Sequence, residues 1–219
     1  MKIAVFGTGS VGQALAGRLA GLSHEVSMGT RNVQSTVEGG KVNEFLTNNA
    51  SVKLKTFADA AHGAEIIVLA TLGTAAQSSL ETAGDISGKV ILDITNPLDF
   101  SKGFPPTLFL SNDTSLAEVL QAKFPTTHIV KSLNTMFNGL MINPRSLGED
   151  STVFVSGNDA DAKAKVTSTL KEFGWKDSEI LDLGDITTAR GTESLLPVWL
   201  RIFGATQNGF FNFKVATGK

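Results

Sequence analysis

Near the start of the chain three glycines stand in the spacing Gly7-x-Gly9-x-x-Gly12, inside the run Gly7, Thr8, Gly9, Ser10, Val11, Gly12. In a strand-to-helix turn these positions have distinct tasks: Gly7 permits a tight turn, Gly9 lets a pyrophosphate approach the backbone, and Gly12 lets the helix pack closely. With 22 glycines in 219 residues the spacing alone is weakly specific, so its context decides. Lys2 to Phe6 is a short apolar run suited to a buried parallel strand, and Ser10 to Leu22 carries Val11, Leu15, Leu19 and Leu22 at helical spacing. The glycines therefore join a strand to a helix, whose free amides face phosphates. The chemistry implied is dinucleotide binding.

Which dinucleotide is read at the end of the second strand, about Glu25 to Gly29. An NAD site places a carboxylate there to accept from the ribose 2'-hydroxyl, but this chain has Thr30, Arg31 and Asn32. A carboxylate repels a 2'-phosphate, whereas Arg31 offers a fork of donors and the Thr30 hydroxyl a further one. The expected cofactor is NADP(H).

Alternation continues along the chain. Strands are expected near Val52 to Leu54, Glu65 to Ala70, Lys89 to Thr95, Thr127 to Leu133, Thr152 to Ser156 and Glu179 to Leu183. Helices fall near Phe57 to His62 and Thr74 to Thr82. Ser115 and Glu118 open another as a capping box, and Asp159 or Asn158 caps one that Gly174 stops. The fold class is α/β, a Rossmann-type doubly wound, mostly parallel sheet of about eight strands with a small C-terminal extension. Residues 1–185 form the NADP-binding domain. Residues 186–219 form a helical tail, kinked at Pro197, that packs on the same domain or on a partner subunit. Asp99 to Asp113 reads as an irregular loop.

In open parallel sheets the ligand crevice lies outside the carboxyl ends of the strands, which selects Thr71, Leu72, Thr74, Asn96, Pro97, Asn134, Thr135 and Met136. These types suit the orientation of a nicotinamide and a flat acceptor, and hydride transfer needs little more from a protein. No catalytic acid or base is identified, so a non-catalytic NADP(H)-binding redox sensor is the alternative function.

Absences narrow the classes. The chain has no tyrosine, which excludes the Tyr-x-x-x-Lys pair of short-chain dehydrogenases, and no GxSxG elbow supports a serine hydrolase. With no cysteine there are no disulfides, thiolate nucleophiles or cysteine metal sites. His24, His62 and His128 have neither metal-ligand spacing nor an evident carboxylate partner, and Asp93 and Asp99 read as turn caps, so no metal is expected. A net charge of -2 without a basic run speaks against nucleic acid, and no apolar run spans a membrane. The expected partner is a small redox acceptor, the expected location cytoplasmic, and the apolar tail suggests a homodimer.

GTGSVG, MGTRN, DITNPLDF, KSLNTM and ARGTESLLPVWLRI together resemble the NADP oxidoreductases dependent on coenzyme F420, a deazaflavin, and the cytosolic reductase domain of the six-transmembrane metalloreductases. The likeness runs from Met1 to about Ala216. It implies NADP(H) held by Gly7 to Gly12 with Thr30 and Arg31, and a nicotinamide near Thr71, Leu72, Asn96 and Pro97. The KSLNTM segment would line the acceptor pocket, with Arg190 and Glu193 near the acceptor or a subunit interface. The deazaflavin enzymes carry a histidine where this chain has Asn134, so F420 and a flavin both stand as the second substrate.

Overall fold

A computed structural model describes residues 1–218 of the chain; Lys219, the last residue of the expected extension, lies outside the described residues. Ten strands occur among the described residues: β1 (Lys2–Phe6), β2 (Glu25–Thr30), β3 (Lys53–Thr56), β4 (Ile66–Leu69), β5 (Val90–Asp93), β6 (Leu98–Asp99), β7 (Thr107–Leu108), β8 (His128–Ser132), β9 (Val153–Gly157) and β10 (Ile180–Gly184). The helices are α1 (Ser10–Gly21), α2 (Val33–Glu38), α3 (Asn43–Asn48), α4 (Phe57–Ala61), α5 (Gly73–Glu81), α6 (Leu116–Lys123), α7 (Asn138–Ile142), α8 (Ala160–Phe173) and α9 (Ala189–Thr206).

Eight strands form one sheet in the order β10-β9-β8-β5-β4-β1-β2-β3. Every neighbouring pair is parallel except β8 and β9, where Lys131 faces Ser156 across an antiparallel ladder. The chain leaves β1 toward β2 on one side and returns through β4 on the other, so a crevice opens where the winding reverses. The central strands are mostly apolar because both faces are covered, β4 (Ile66–Leu69) without a break. Ile3, Val5, Leu15, Leu19 and Val68 pack on one face, and Ala4, Phe6, Ile67, Leu69 and Leu80 on the other.

Ends and caps follow local chemistry. Asp159 accepts from the Ala162 amide to start α8, and Gly174 ends it in the left-handed region at φ +108°. The segment expected to be irregular contains a two-residue ladder, with Leu98 opposite Leu108 and Asp99 opposite Thr107. Helix α9 runs through Pro197, which has no N–H for the Glu193 carbonyl one turn earlier. Beyond α9 the chain folds back against the residue that precedes β9: the Thr152 amide donates to the Phe213 carbonyl and the Val215 amide to Thr152 Oγ1. Trp199 stacks on Phe203 and on Phe211. Contrary to expectation, two histidines have carboxylate partners: His24 Nε2 lies 2.6 Å from Glu172 Oε2, and His128 Nδ1 lies 3.5 Å from Asp159.

Candidate functional site: two adjoining cavities

The turn between β1 and α1 is fixed by close backbone approach. Gly7 has φ +118°, and a Cβ there would lie 2.5 Å from the Ala70 carbonyl oxygen; one on Gly12 would lie 2.1 Å from the carbonyl oxygen of Gly7. Neither position accepts a side chain without moving backbone. A Cβ on Gly9, by contrast, would meet no atom within 4 Å. The turn is thus locked from behind and open in front, which fits a pyrophosphate lying against Gly9.

In front of it lies a cavity of about 620 Å³ lined by Gly7, Thr8, Gly9, Ser10 and Val11, by Gly29 to Asn32, and by Ala70 to Leu72. Arg31, exposed at the end of β2, supplies its one cationic side chain. Ser35 and Thr36 of α2, Phe57, Ala75, Ser78 and Ser79 of α5, and Thr82 just past its end complete the wall. This second group was not legible in the sequence, although Asn32, which accepts from the Ser35 amide, is a recognisable helix cap.

The Thr30 hydroxyl, expected as a phosphate donor, is engaged otherwise. Thr36 Oγ1 donates to the Asn32 carbonyl at 2.7 Å, so its single proton is used. The 2.7 Å contact between Thr30 Oγ1 and Thr36 Oγ1 is therefore donated by Thr30. Thr30 braces the start of α2, and the Arg31 guanidinium and the Asn32 side-chain amide group beside it donate to no partner among the described residues.

A second cavity of about 350 Å³ shares Val11, Ala70, Thr71 and Leu72 with the first. It is otherwise lined by Gly73 and Thr74, by Ile94 to Asn96, and by Leu98, Asp99 and Phe100. Thr71 Oγ1 is buried at this junction and has no hydrogen-bond partner among the described residues. Leu72, beside it, is 69% exposed, a large apolar surface with no cover from its own chain.

Asn134, Thr135 and Met136, expected to line the acceptor pocket, are buried behind it. After β8 the chain turns through Leu133 at φ 61°, which carries this segment beneath the loop that follows β5. Asn134 Nδ2 donates to Asn96 Oδ1 and Asn96 Nδ2 to the Asn134 carbonyl, each at 2.9 Å. Asn96 reaches the cavity wall; Asn134 acts through it. Pro97 is buried beyond, its carbonyl accepting from Phe109.

Arg190 is also placed differently from expectation, in neither cavity. Its guanidinium donates from Nε and Nη2 to both oxygens of Glu118, joining α9 to α6. That fork holds the Glu118 carboxyl below its ordinary range.

Beneath the second cavity lies a buried cluster that composition did not reveal. Lys131 of β8 stands opposite Asp93 of β5 in the sheet. Its ammonium lies 2.7 Å from Asp93 Oδ2 and 2.9 Å from Glu193 Oε1, and donates to the Thr95 carbonyl at 2.6 Å. Burial alone would push the ammonium down, but the two carboxylates hold it above its ordinary value. Asp93 Oδ1 accepts from both the amide and the hydroxyl of Thr95. Glu193 accepts from the Leu116 and Ala117 amides, capping α6 from α9. The cluster thus grips Thr95 on both sides of its peptide, immediately before Asn96.

No group of three His, Asp or Glu side chains able to hold a metal occurs among the described residues. None of their helices is long and apolar enough to cross a membrane.

Residues 2–97 match the family described as NADP oxidoreductase, coenzyme F420-dependent. The chain is 51% identical to a protein of Arthrobacter sp. FB24, provisionally assigned as an F420-dependent NADP reductase, whose crystal structure superposes with a TM-score of 0.95 over 99% of this chain and 100% of that one. It is 27% identical to the F420-dependent NADP reductase of Methanothermobacter marburgensis, over 92% of each chain. It is also 27% identical to the metalloreductase STEAP3 of Rattus norvegicus over 90% of its length, but spans only 38% of that protein. The chain belongs to the coenzyme F420-dependent NADP oxidoreductase family and is an NADP-dependent oxidoreductase.

Proposed function

We propose that the protein exchanges hydride between NADP(H) in the larger cavity and a flat acceptor, such as the deazaflavin F420 or a flavin, in the smaller one. The observation that carries this reading is the shared wall: Val11, Ala70, Thr71 and Leu72 border both spaces, so ligands in the two meet there. When bound, the nicotinamide supplies the hydride chemistry. The residues supply position and dryness. The Gly7 to Gly12 turn would hold the pyrophosphate and Arg31 the 2'-phosphate. Thr71, with its unpartnered hydroxyl, would orient the carboxamide beside Leu72, Thr74 and Asn96. Apolar Val11, Ile94, Leu98 and Phe100 would seat the acceptor ring and exclude water. No acid or base is required of the wall because hydride passes between two rings.

The reading divides the protein into an NADP-binding body, residues 1–185, and a C-terminal extension, and it takes the protein as a homodimer through the exposed side of α9 around Val198, which light scattering tests. The central experiment mixes NADPH with F420, flavin mononucleotide or riboflavin and follows the loss of reduced-nicotinamide absorbance. Oxidation with at least one acceptor is expected. Tight NADPH binding with no oxidation by any of them refutes hydride exchange and favours a redox sensor.

A further inference from the structure

Asn96 is held more firmly than a loop residue on a cavity wall requires. Its main chain is fixed on both sides: Lys131 donates to the Thr95 carbonyl just before it, and the Leu98 amide donates to its own carbonyl at 2.8 Å. Gly73, the first residue of α5, packs so near that carbonyl that a Cβ there would lie 2.1 Å from the oxygen. The side chain is fixed as well, by one residue. The Asn134 main-chain carbonyl can only accept, so the Asn96 nitrogen must face it, and the Asn134 side-chain nitrogen donating to Asn96 Oδ1 closes the pair. A flipped Asn96 amide would set acceptor against acceptor and donor against donor.

An amide nitrogen carries two protons, and this pair uses one. The second has no partner among the described residues, and Asn96 lines the smaller cavity but not the larger. Both contacts to Asn134 occupy one edge of the amide, so the free N–H lies on the other. The wall of the smaller cavity contains no Lys, Arg or His among the described residues, and the neighbouring Thr95 hydroxyl already donates to Asp93 at 2.7 Å. Negative charge arising on a ring in this space therefore meets the Asn96 N–H and the amino end of α5, not a side-chain cation.

Hydride exchange creates such charge. The hydride leaves the nicotinamide with its electron pair and forms a C–H bond at C5 of a deazaflavin, or an N–H bond at N5 of a flavin. The electron pair displaced from the ring moves toward N1 and the pyrimidine carbonyl oxygens, and a proton from solvent completes the reduction. A donor at one of those oxygens is bound more strongly as the charge develops than before it.

We infer that Asn96 is a catalytic residue that donates to a pyrimidine carbonyl of the acceptor ring as it receives hydride, and that Asn134 is the positioning residue that aims it. The inference rests on the reading of the smaller cavity as the acceptor site. It is tested by single-turnover transfer from NADPH to F420 and to flavin mononucleotide, repeated with deuterium at the transferred position so that the step read is hydride transfer. Acceptor fluorescence in protein saturated with NADP+ gives acceptor affinity alongside. Asn96→Leu is expected to slow transfer about ten- to a hundredfold while acceptor and NADPH affinities change less than about threefold. Asn134→Leu slows it by a similar or smaller factor, and the double variant is no slower than Asn96→Leu, because Asn134 acts through Asn96. Asn134→Asp keeps the shape but, ionised, offers Asn96 Oδ1 no donor, and serves if Asn134→Leu does not fold. A readout independent of turnover is the side-chain amide signal in nuclear magnetic resonance spectra that Asn96→Leu removes, which is expected to move when acceptor joins the NADP+ complex.

Transfer that Asn96→Leu leaves unchanged overturns the inference while hydride exchange stands, as does an effect confined to acceptor affinity or an Asn96 signal that acceptor does not move. Additive losses in the double variant remove the role of Asn134. No transfer to either acceptor by the unaltered protein refutes hydride exchange itself, and the role of Asn96 with it.

Discussion

The two cavities share a wall but are built by different means. The larger is made by one local device, a backbone turn locked at Gly7 and Gly12, plus a single charged side chain at the next strand end. The smaller is assembled from the ends of β4 and β5 and the β6 region, and is held from behind by residues far apart in the chain, Asp93, Lys131 and Glu193. On the proposed reading the first would recognise its ligand through backbone amides and one guanidinium, and its character follows from short-range sequence. The second takes its shape from tertiary packing, so a relative can change its acceptor while keeping its cofactor.

The largest effect expected from separating the two comes at Lys131. Lys131→Met leaves the buried Asp93 and Glu193 carboxylates without their cation and the Thr95 carbonyl without its donor. Breaking a buried pair from one side costs about 3–5 kcal/mol, which urea unfolding measures directly. In the protein that remains folded, acceptor turnover falls while the NADPH dissociation constant holds, because the wall of the larger cavity contains none of these residues. A parallel fall in NADPH affinity would show that the cavities are one mechanical unit.

The converse separation is made at Arg31. On the proposed reading Arg31→Ala would remove a charged hydrogen bond to the 2'-phosphate, worth about 1.5–3 kcal/mol, or roughly ten- to a hundredfold in NADPH affinity. NADH, which lacks that phosphate, is expected to bind the variant about as it binds the unaltered protein. Fluorescence titration with both cofactors reads the difference. An unchanged NADPH affinity removes Arg31 from the cofactor site, and a loss shared equally by NADH assigns it a role in the turn instead.

What was legible in the sequence follows the same division. The turn and the central strands were readable because apolar runs and glycine spacing are local signals, and the observed β1 is the expected Lys2–Phe6. Helices α2 and α3 gave no such signal, since neither buries a residue. Strand direction is not encoded in apolar pattern at all, so the reversal at β9 needed the structure. The Asp93, Lys131 and Glu193 cluster was visible only as three separate charges. Lys131 in His-Ile-Val-Lys-Ser is a charge where the strand demands burial, but its meaning depends on the register that sets it opposite Asp93. Likewise Arg190 in a tail helix carries no local sign that Glu118, rather than a ligand, is its partner.

The smallest expected effect tests that last placement. The Arg190 fork, with the Ser115 hydroxyl assisting against burial, holds the Glu118 pKa below its ordinary value of 4.5. A carboxyl whose pKa is depressed by folding contributes stability above its unfolded pKa, and loses it as pH falls through the folded one. In Arg190→Ala the largest part of that contribution is gone, and the Ser115 bonds remain. The variant is slightly less stable than the unaltered protein at neutral pH, and the difference closes as the pH drops below about 4.5. The Arg190 side chain is 41% exposed, so solvent and salt screen the pair and the neutral-pH difference shrinks with added salt. Thermal unfolding across pH and ionic strength gives both signs. The comparison of the cavities adds a sharper condition: because Arg190 touches neither wall, acceptor affinity in Arg190→Ala stays that of the unaltered protein. A lowered acceptor affinity with unchanged acid sensitivity would return Arg190 to the acceptor, and would mean that the smaller cavity extends beneath α9 and has a cation after all.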